Sequence, residues 1–138
     1  MTLVPGHAEG VLVGGNLALL STEIGTRNSL RAAESIVVLE EIGEEIYRVD
    51  RMLTQLLRTG WFDGVRGIVL GAFTDCASPE ALRDLATERL GPLGVPLLWG
   101  APFGHDDRNL AFPFGVPAVL DADAGTLVLR EPALLARS

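Results

Sequence analysis

Cysteine occurs once in the 138 residues, at Cys76, so no intrachain disulfide can form, and the chain can be neither a disulfide scaffold nor a cysteine-rich zinc module. Basic residues are also few. Eleven Lys plus Arg stand against eighteen Asp plus Glu, giving a net charge of −7 and a pI near 4.7. Such a chain has no surplus of cations to neutralise a phosphate backbone, which argues against nucleic acid as a partner. No apolar run approaches the roughly 18 residues of a membrane span, and no basic segment precedes an apolar one at the N-terminus. The expectation is a soluble, cytoplasmic chain with no membrane contact. Serine is scarce too: Ser21, Ser29, Ser35, Ser78 and Ser138 are all there are, and none sits in a Gly-x-Ser-x-Gly elbow.

What is present suits an ordinary globular domain. The chain is 48% hydrophobic and 21% charged, with a mean hydropathy of +0.31. Its length fits one domain, residues 1–138, able to bury about two-thirds of the surface of the unfolded chain. Gly10-Val11-Leu12-Val13-Gly14-Gly15 reads as a strand closed by a glycine pair. Asn16 is the natural N-cap of a helical pattern that Gly25 can end. Residues 26–34 are polar and aperiodic, a surface loop. Ile36-Val37-Val38-Leu39 is a β-branched run that stops at Glu40-Glu41-Ile42-Gly43-Glu44-Glu45. Ile46, Val49, Met52, Leu53, Leu56 and Leu57 recur at helical spacing, and Gly60 ends that helix. Residues 66–73 form a second buried run. Ser78-Pro79-Glu80 carries a capping serine and a first-position proline for a helix reaching Leu90.

Val95 to Gly100 reads as a short strand that delivers the chain into Pro102-Phe103-Gly104-His105. Residues 116–121 and 126–130 form a closing β-hairpin. His7, in Val4-Pro5-Gly6-His7-Ala8-Glu9, lies on an expected frayed end and receives no role. Strand and helix alternate for a hundred residues and strands finish the chain, so the fold class is α/β with a mixed sheet.

Two side chains stand where chemistry gathers. Glu40 ends an apolar strand, the carboxyl edge at which α/β folds collect ligands, although the four glutamates there also suit a solvated acidic turn. His105 follows a strand on a loop and titrates near neutrality, as a general base requires, although a loop histidine bonded to local backbone fits equally. Gly14-Gly15-Asn16 offers backbone N–H groups to an anion, or else simply a tight turn; it matches neither nucleotide-binding glycine signature. Asp75, Cys76, His105 and Asp106 include no pair at metal-ligand spacing, so neither metal nor cofactor is expected.

Taken in order, six segments resemble the C-terminal half of the LD-carboxypeptidase family. They are Gly14-Gly15-Asn16-Leu17, Ile24-Gly25-Thr26, Val38-Leu39-Glu40-Glu41-Ile42-Gly43-Glu44, Tyr47-Arg48-Val49-Asp50-Arg51-Met52-Leu53, Val69-Leu70-Gly71-Ala72-Phe73-Thr74, and Phe103-Gly104-His105 with Asn109 and Pro113-Phe114-Gly115. The likeness spans about residues 10 to 121. These are cytoplasmic serine peptidases, also called muramoyltetrapeptide carboxypeptidases, and they include microcin self-immunity peptidases. The resemblance implies that Glu40 and His105 are the glutamate and histidine of a Ser-Glu-His triad. Asn16 is a further candidate, for lining the substrate cleft. The resemblance further implies a swivelling β/β/α domain with helices packed on a mixed sheet, typically homodimeric. The family's nucleophilic serine and oxyanion donors lie in a separate N-terminal domain that these 138 residues do not contain.

The implied reaction is hydrolysis of the amide to the terminal D-alanine of a peptidoglycan tetrapeptide, in cell-wall recycling. The chain alone is expected to be inactive, whether as a piece of a longer protein or as one partner of a split one. A stand-alone muropeptide-binding module without chemistry is the alternative. A phosphohistidine carrier using His105 is a third reading. The sequence departs from the family pattern at Glu41, commonly aspartate, at Phe112-Pro113, commonly Leu-Pro, and in the loop 27–34, which lacks the proline and glycine often found there. These loops leave substrate preference open.

Overall fold

The computed structural model describes residues 1–111 and 113–132, so Phe112 and Ser138 lie outside the described residues. Four hydrophobic runs become adjacent parallel strands, covered on both faces. These are β2 (His7–Asn16), β3 (Ser35–Ile42), β4 (Gly67–Thr74) and β5 (Leu97–Trp99). Antiparallel strands complete the sheet, β1 (Thr2–Val4) beside β5 and β6 (Pro117–Asp121) beside β2, with β7 (Thr126–Leu129) outermost. The order across the seven strands is β1-β5-β4-β3-β2-β6-β7. The result is the mixed-sheet α/β class expected from the alternation of elements, with three α-helices among the described residues.

Alternation along β3 divides the core. Val37 and Leu39 face a layer built from α1 (Leu17–Thr22), α2 (Ile46–Arg58) and α3 (Pro79–Leu90), packing with Leu53, Leu56, Leu82 and Phe62. Ile36 and Val38 face the opposite way, against Leu12, Val69, Phe103 and Leu120. Helix α2 buries Val49, Met52, Leu53 and Leu56, the stripe read from its spacing. Ser78 caps α3 by accepting from Ala81 N at 3.2 Å, with Pro79 at the first position. Arg89 ties α3 back to α2 by donating through Nε to Asp50 Oδ1 at 2.5 Å.

Four expectations change. The N-terminus is not frayed, because β1 pairs with β5 and His7 opens β2 opposite Asp121. The glycine pair does not close β2, which continues through Asn16. Gly14 sits so close to β3 that a Cβ there would lie 1.9 Å from the Val38 carbonyl oxygen, at φ +140°. And β3 does not stop at Glu40: it runs to Ile42, carrying Glu40 and Glu41 inside the sheet. Helix α1 is correspondingly short, ending at Thr22 rather than Gly25. No helix among the described residues is long and apolar enough to cross a membrane.

Candidate active site

The two strand neighbours of Glu40 differ, and only β4 opens room beside it. On one side it registers with Asn16 of β2. On the other, β4 carries one residue more than β3 between the Leu39–Leu70 and Glu41–Phe73 pairs. That irregularity releases Gly71 and Ala72 from regular pairing, and Ala72 N instead donates to the Phe103 carbonyl at 2.8 Å. Phe103, buried against the sheet, carries the following loop over the end of β3. Gly104 then passes so near that a Cβ would meet Glu40 Cβ at 2.9 Å, and its φ of +108° is one that L side chains rarely adopt.

The next residue is His105, whose Nδ1 lies 2.7 Å from Glu40 Oε2. The acid is 11% exposed and the imidazole 58% exposed, so a buried carboxylate holds a histidine that faces an open cleft of about 790 Å³. Three further contacts fix the loop. Thr74 Oγ1 donates to the His105 carbonyl at 2.6 Å, Gly104 N donates to Asn109 Oδ1 at 3.3 Å, and Leu110 N donates to the Pro102 carbonyl at 2.8 Å. The hydrogen bond His105 donates to Glu40, with the charge of Glu40 and the more distant charge of Glu41, holds the His105 pKa above the ordinary imidazole value. With Nδ1 engaged, Nε2 is left for proton transfer at the cleft.

Of the four glutamates at this turn, Glu40 and Glu41 are buried. Glu44 pairs with Arg48 at 3.3 Å, and Glu45 is the exposed N-cap position of α2. A solvated turn therefore describes only the second pair. Asn16 caps α1, its Oδ1 accepting from Leu19 N at 3.1 Å while its Nδ2 donates to Glu41 Oε1 at 2.9 Å. It stands one strand from Glu40, with its amide committed to the scaffold. Gly15 lines the cleft beside it.

The described residues offer His105 no nucleophile. Ser21, Ser29 and Ser35 donate to nearby carbonyls and Ser78 caps α3. The Thr74 hydroxyl is spent on the His105 carbonyl, and burial pushes the Cys76 thiol pKa up. Asp75, Cys76, His105 and Asp106 do not assemble into a ligand set. Among the described residues, His7, Asp121 and Asp123 do converge, at the opposite end of β2 from Asn16. Sequence reasoning assigned no role to Glu41, Thr74 or Asn109. Glu41 could have been found from parity, since it continues the inward face of Val37 and Leu39. The other two depend on a loop path that spacing does not encode.

Residues 9–120 match the family described as the LD-carboxypeptidase C-terminal domain. A putative carboxypeptidase of Streptomyces coelicolor is 54% identical over 133 residues, covering 96% of this chain and 43% of its own length. A murein tetrapeptide carboxypeptidase of Pseudomonas aeruginosa is 42% identical over 125 residues, covering 86% and 41%. Among solved structures, a muramoyltetrapeptide carboxypeptidase from Oxalobacter formigenes superposes with a TM-score of 0.74 at 31% identity, covering 91% of this chain and 45% of that one. MccF in complex with glutamyl sulfamoyl guanosine gives 0.81 at 28% identity, covering 97% and 41%. The chain thus spans about two-fifths of the length of the curated relatives it matches.

Proposed function

Since the chain belongs to the LD-carboxypeptidase family, as its C-terminal domain, we propose that it supplies the acid and base of a serine-type carboxypeptidase. The substrate in this reading is a peptidoglycan tetrapeptide in the cytoplasm, cut at the amide to its terminal D-alanine. The observation that carries it is the 2.7 Å contact between Glu40 Oε2 and His105 Nδ1 at the mouth of a cleft. That contact sets the tautomer: with Nδ1–H donating to the carboxylate, Nε2 carries the lone pair that accepts a proton from a serine hydroxyl as it attacks the carbonyl. Glu40 then stabilises the imidazolium, and the same Nε2 returns the proton to the departing amine of D-alanine. Water repeats the cycle on the acyl-enzyme.

The serine and the oxyanion donors come from outside these 138 residues, opposite the face on which His105 is exposed. The alternative, a muropeptide-binding module without chemistry, shares the cleft and differs in needing no proton acceptor. In this reading Gly15, next to Asn16, lines the substrate side, and Asn16 is not itself part of the cleft lining. Its side chain acts as the cap that holds α1 in position.

The test joins the chain in frame to the N-terminal, serine-bearing part of the Streptomyces relative and follows D-alanine release from a muramoyl tetrapeptide. Glu40→Ala and His105→Ala are each expected to lower kcat by about 10⁴-fold or more, the range seen when a triad member is removed. The 138 residues alone are expected to release none. Near wild-type turnover by either variant of the joined protein would overturn the assignment, and substrate binding without turnover by the joined wild type would favour the binding module.

A further inference from the structure

Glu41 is one of the most buried charged side chains in the described protein, at 2% exposure, and the proton transfers above do not use it. Its carboxylate points away from His105, because neighbouring residues of a strand face opposite sides of the sheet. On that inward side it accepts three hydrogen bonds: from Asn16 Nδ2 at 2.9 Å, from Ala18 N at 2.7 Å and from Ile42 N at 2.9 Å. The first two belong to the end of β2 and the first turn of α1, and the third to β3 itself. One carboxylate thus joins three backbone segments at the point where β3 leaves regular pairing with β4.

A carboxylate so deeply placed is tolerable only when its lone pairs are met, and here they are met by one N–H of the first turn of α1, one N–H of β3 and a side-chain amide. The consequence reaches Glu40 through one peptide bond. The irregular pairing beside it leaves Glu40 with less ladder support on the β4 side, so its orientation depends on what pins its immediate neighbour. That neighbour is Glu41, pinned from beneath by its three hydrogen bonds, and through the Asn16 amide it also sets the cap that ends β2 next to Glu40.

We propose that Glu41 is a positioning residue, whose buried carboxylate clamps the ends of β2 and β3 and the start of α1 so that Glu40 is presented to His105 at hydrogen-bonding distance. The proposal rests on the pairing of Glu40 with His105 being the functional one, but its test does not require turnover, so it can fail while the proposed reaction stands.

The test follows the His105 imidazole of the 138-residue chain by NMR through a pH titration, with the Asn16 side-chain amide and Ala18 backbone amide recorded in the same samples. The groups that bear on that imidazole are Glu40 by direct contact, Glu41 through the sheet, and Asp106 and Asp107 on its own loop. Glu40→Gln is the reference, expected to lower the proton affinity of His105 by about tenfold. Glu41→Gln is expected to lower it by about threefold and to shift the Asn16 and Ala18 signals. Glu41→Asp, one methylene shorter with its charge kept, is expected to fall between Glu41→Gln and wild type.

The charge of Glu41 also reaches His105 through the sheet, so Glu41→Gln lowers the midpoint with or without a clamp, and the charge-keeping Glu41→Asp decides. In a cooperatively folded Glu41→Asp with shifted Asn16 and Ala18 signals, a His105 midpoint displaced below wild type supports the clamp, and an unchanged one overturns the proposal. If Glu41→Asp does not melt cooperatively, Asn16→Ala, which removes one donor to Glu41 and keeps its charge, is read in the same way.

Discussion

Two histidines in this fold sit beside carboxylates, and only one of them is arranged to move a proton. His105 contacts Glu40 through Nδ1 at 2.7 Å. His7 lies 3.0 Å from Asp121 through Nε2 and 3.6 Å from Asp123 through Nδ1. Distance hardly separates the pairs; the rest of the geometry does. Both ring nitrogens of His7 face carboxylates, so neither is free to take a proton from a third group. His105 keeps Nε2 open to the cleft. The partner of His105 is buried beneath a glycine that no Cβ can replace, whereas Asp121 ends β6 half-buried and Asp123 sits on the exposed hairpin turn. A histidine beside an acid becomes machinery when the acid is fixed and one nitrogen is spare.

The largest expected contrast is in activity of the joined, serine-bearing protein. His105→Ala should cost about 10⁴-fold or more in kcat, while His7→Ala should stay within about twofold, and a comparable loss for both would erase the distinction. Next is Gly104→Ala, which drives a Cβ against Glu40 at an unfavourable φ. Displacement of His105 by even about 1 Å should cost on the order of 10²-fold in kcat/KM. Its counterpart at the other pair, Gly125→Ala, meets no atom within 4 Å and should leave kcat/KM unchanged, with only a lowered melting temperature from its φ of +69°.

A smaller effect separates the pairs by pH. The folded-state pKa of His105 is raised by Glu40, so the stabilisation from that pair is fully present below the unfolded imidazole value and is lost as pH rises through the folded one. The same shift places the acid limb of kcat/KM above the ordinary imidazole range, because the base must be neutral, and Glu40→Gln should move that limb down. Asp121 runs the other way. Its pKa is depressed, first by the hydrogen bond from Ala124 N and then by His7, so its contribution is present above the unfolded carboxyl value and lost as pH falls through the folded one. Melting curves across pH 2–9, with Asp121→Asn and Glu40→Gln, should assign the acid-side and neutral-side changes to different ends of β2. Smallest of all, Asp123→Ala should leave the melting temperature within about 2 °C, as expected for an exposed pair in high dielectric.

Much of this architecture was legible in the residues. The apolar stripe of α2, the Ser78-Pro79 start of α3, the Asn16 cap and the closing hairpin all rest on local rules, and local rules carry over when packing agrees with them. His105 on a loop after a strand could be read in the same way. The burial of Glu40 and Glu41 could not, because a glutamate run at a strand end looks solvated until the third dimension supplies N–H donors and a histidine 65 residues away. The pairing of β1 with β5 was equally hidden, since a three-residue strand has no period to detect. Thr74 and Asn109 hold His105 through a loop whose course depends on the Phe103 anchor, a nonlocal fact.

The opposed faces of Glu40 and Glu41 make them chemically alike and yet not interchangeable. In a strand, position is read two by two, so removing a single residue between Ser35 and Leu39 acts on the sheet much as a frameshift acts on a message. Every later hydrophobic side chain of β3 would change layers, Glu41 would take the place of Glu40, and Glu40 would take that of Leu39 against the helices. The acid meant for the histidine would be delivered to the helix, and the clamp to the cleft. What specifies this centre is therefore the parity of a residue within β3 as much as its identity. Length variation in that strand should be tolerated far less than substitution on its surface.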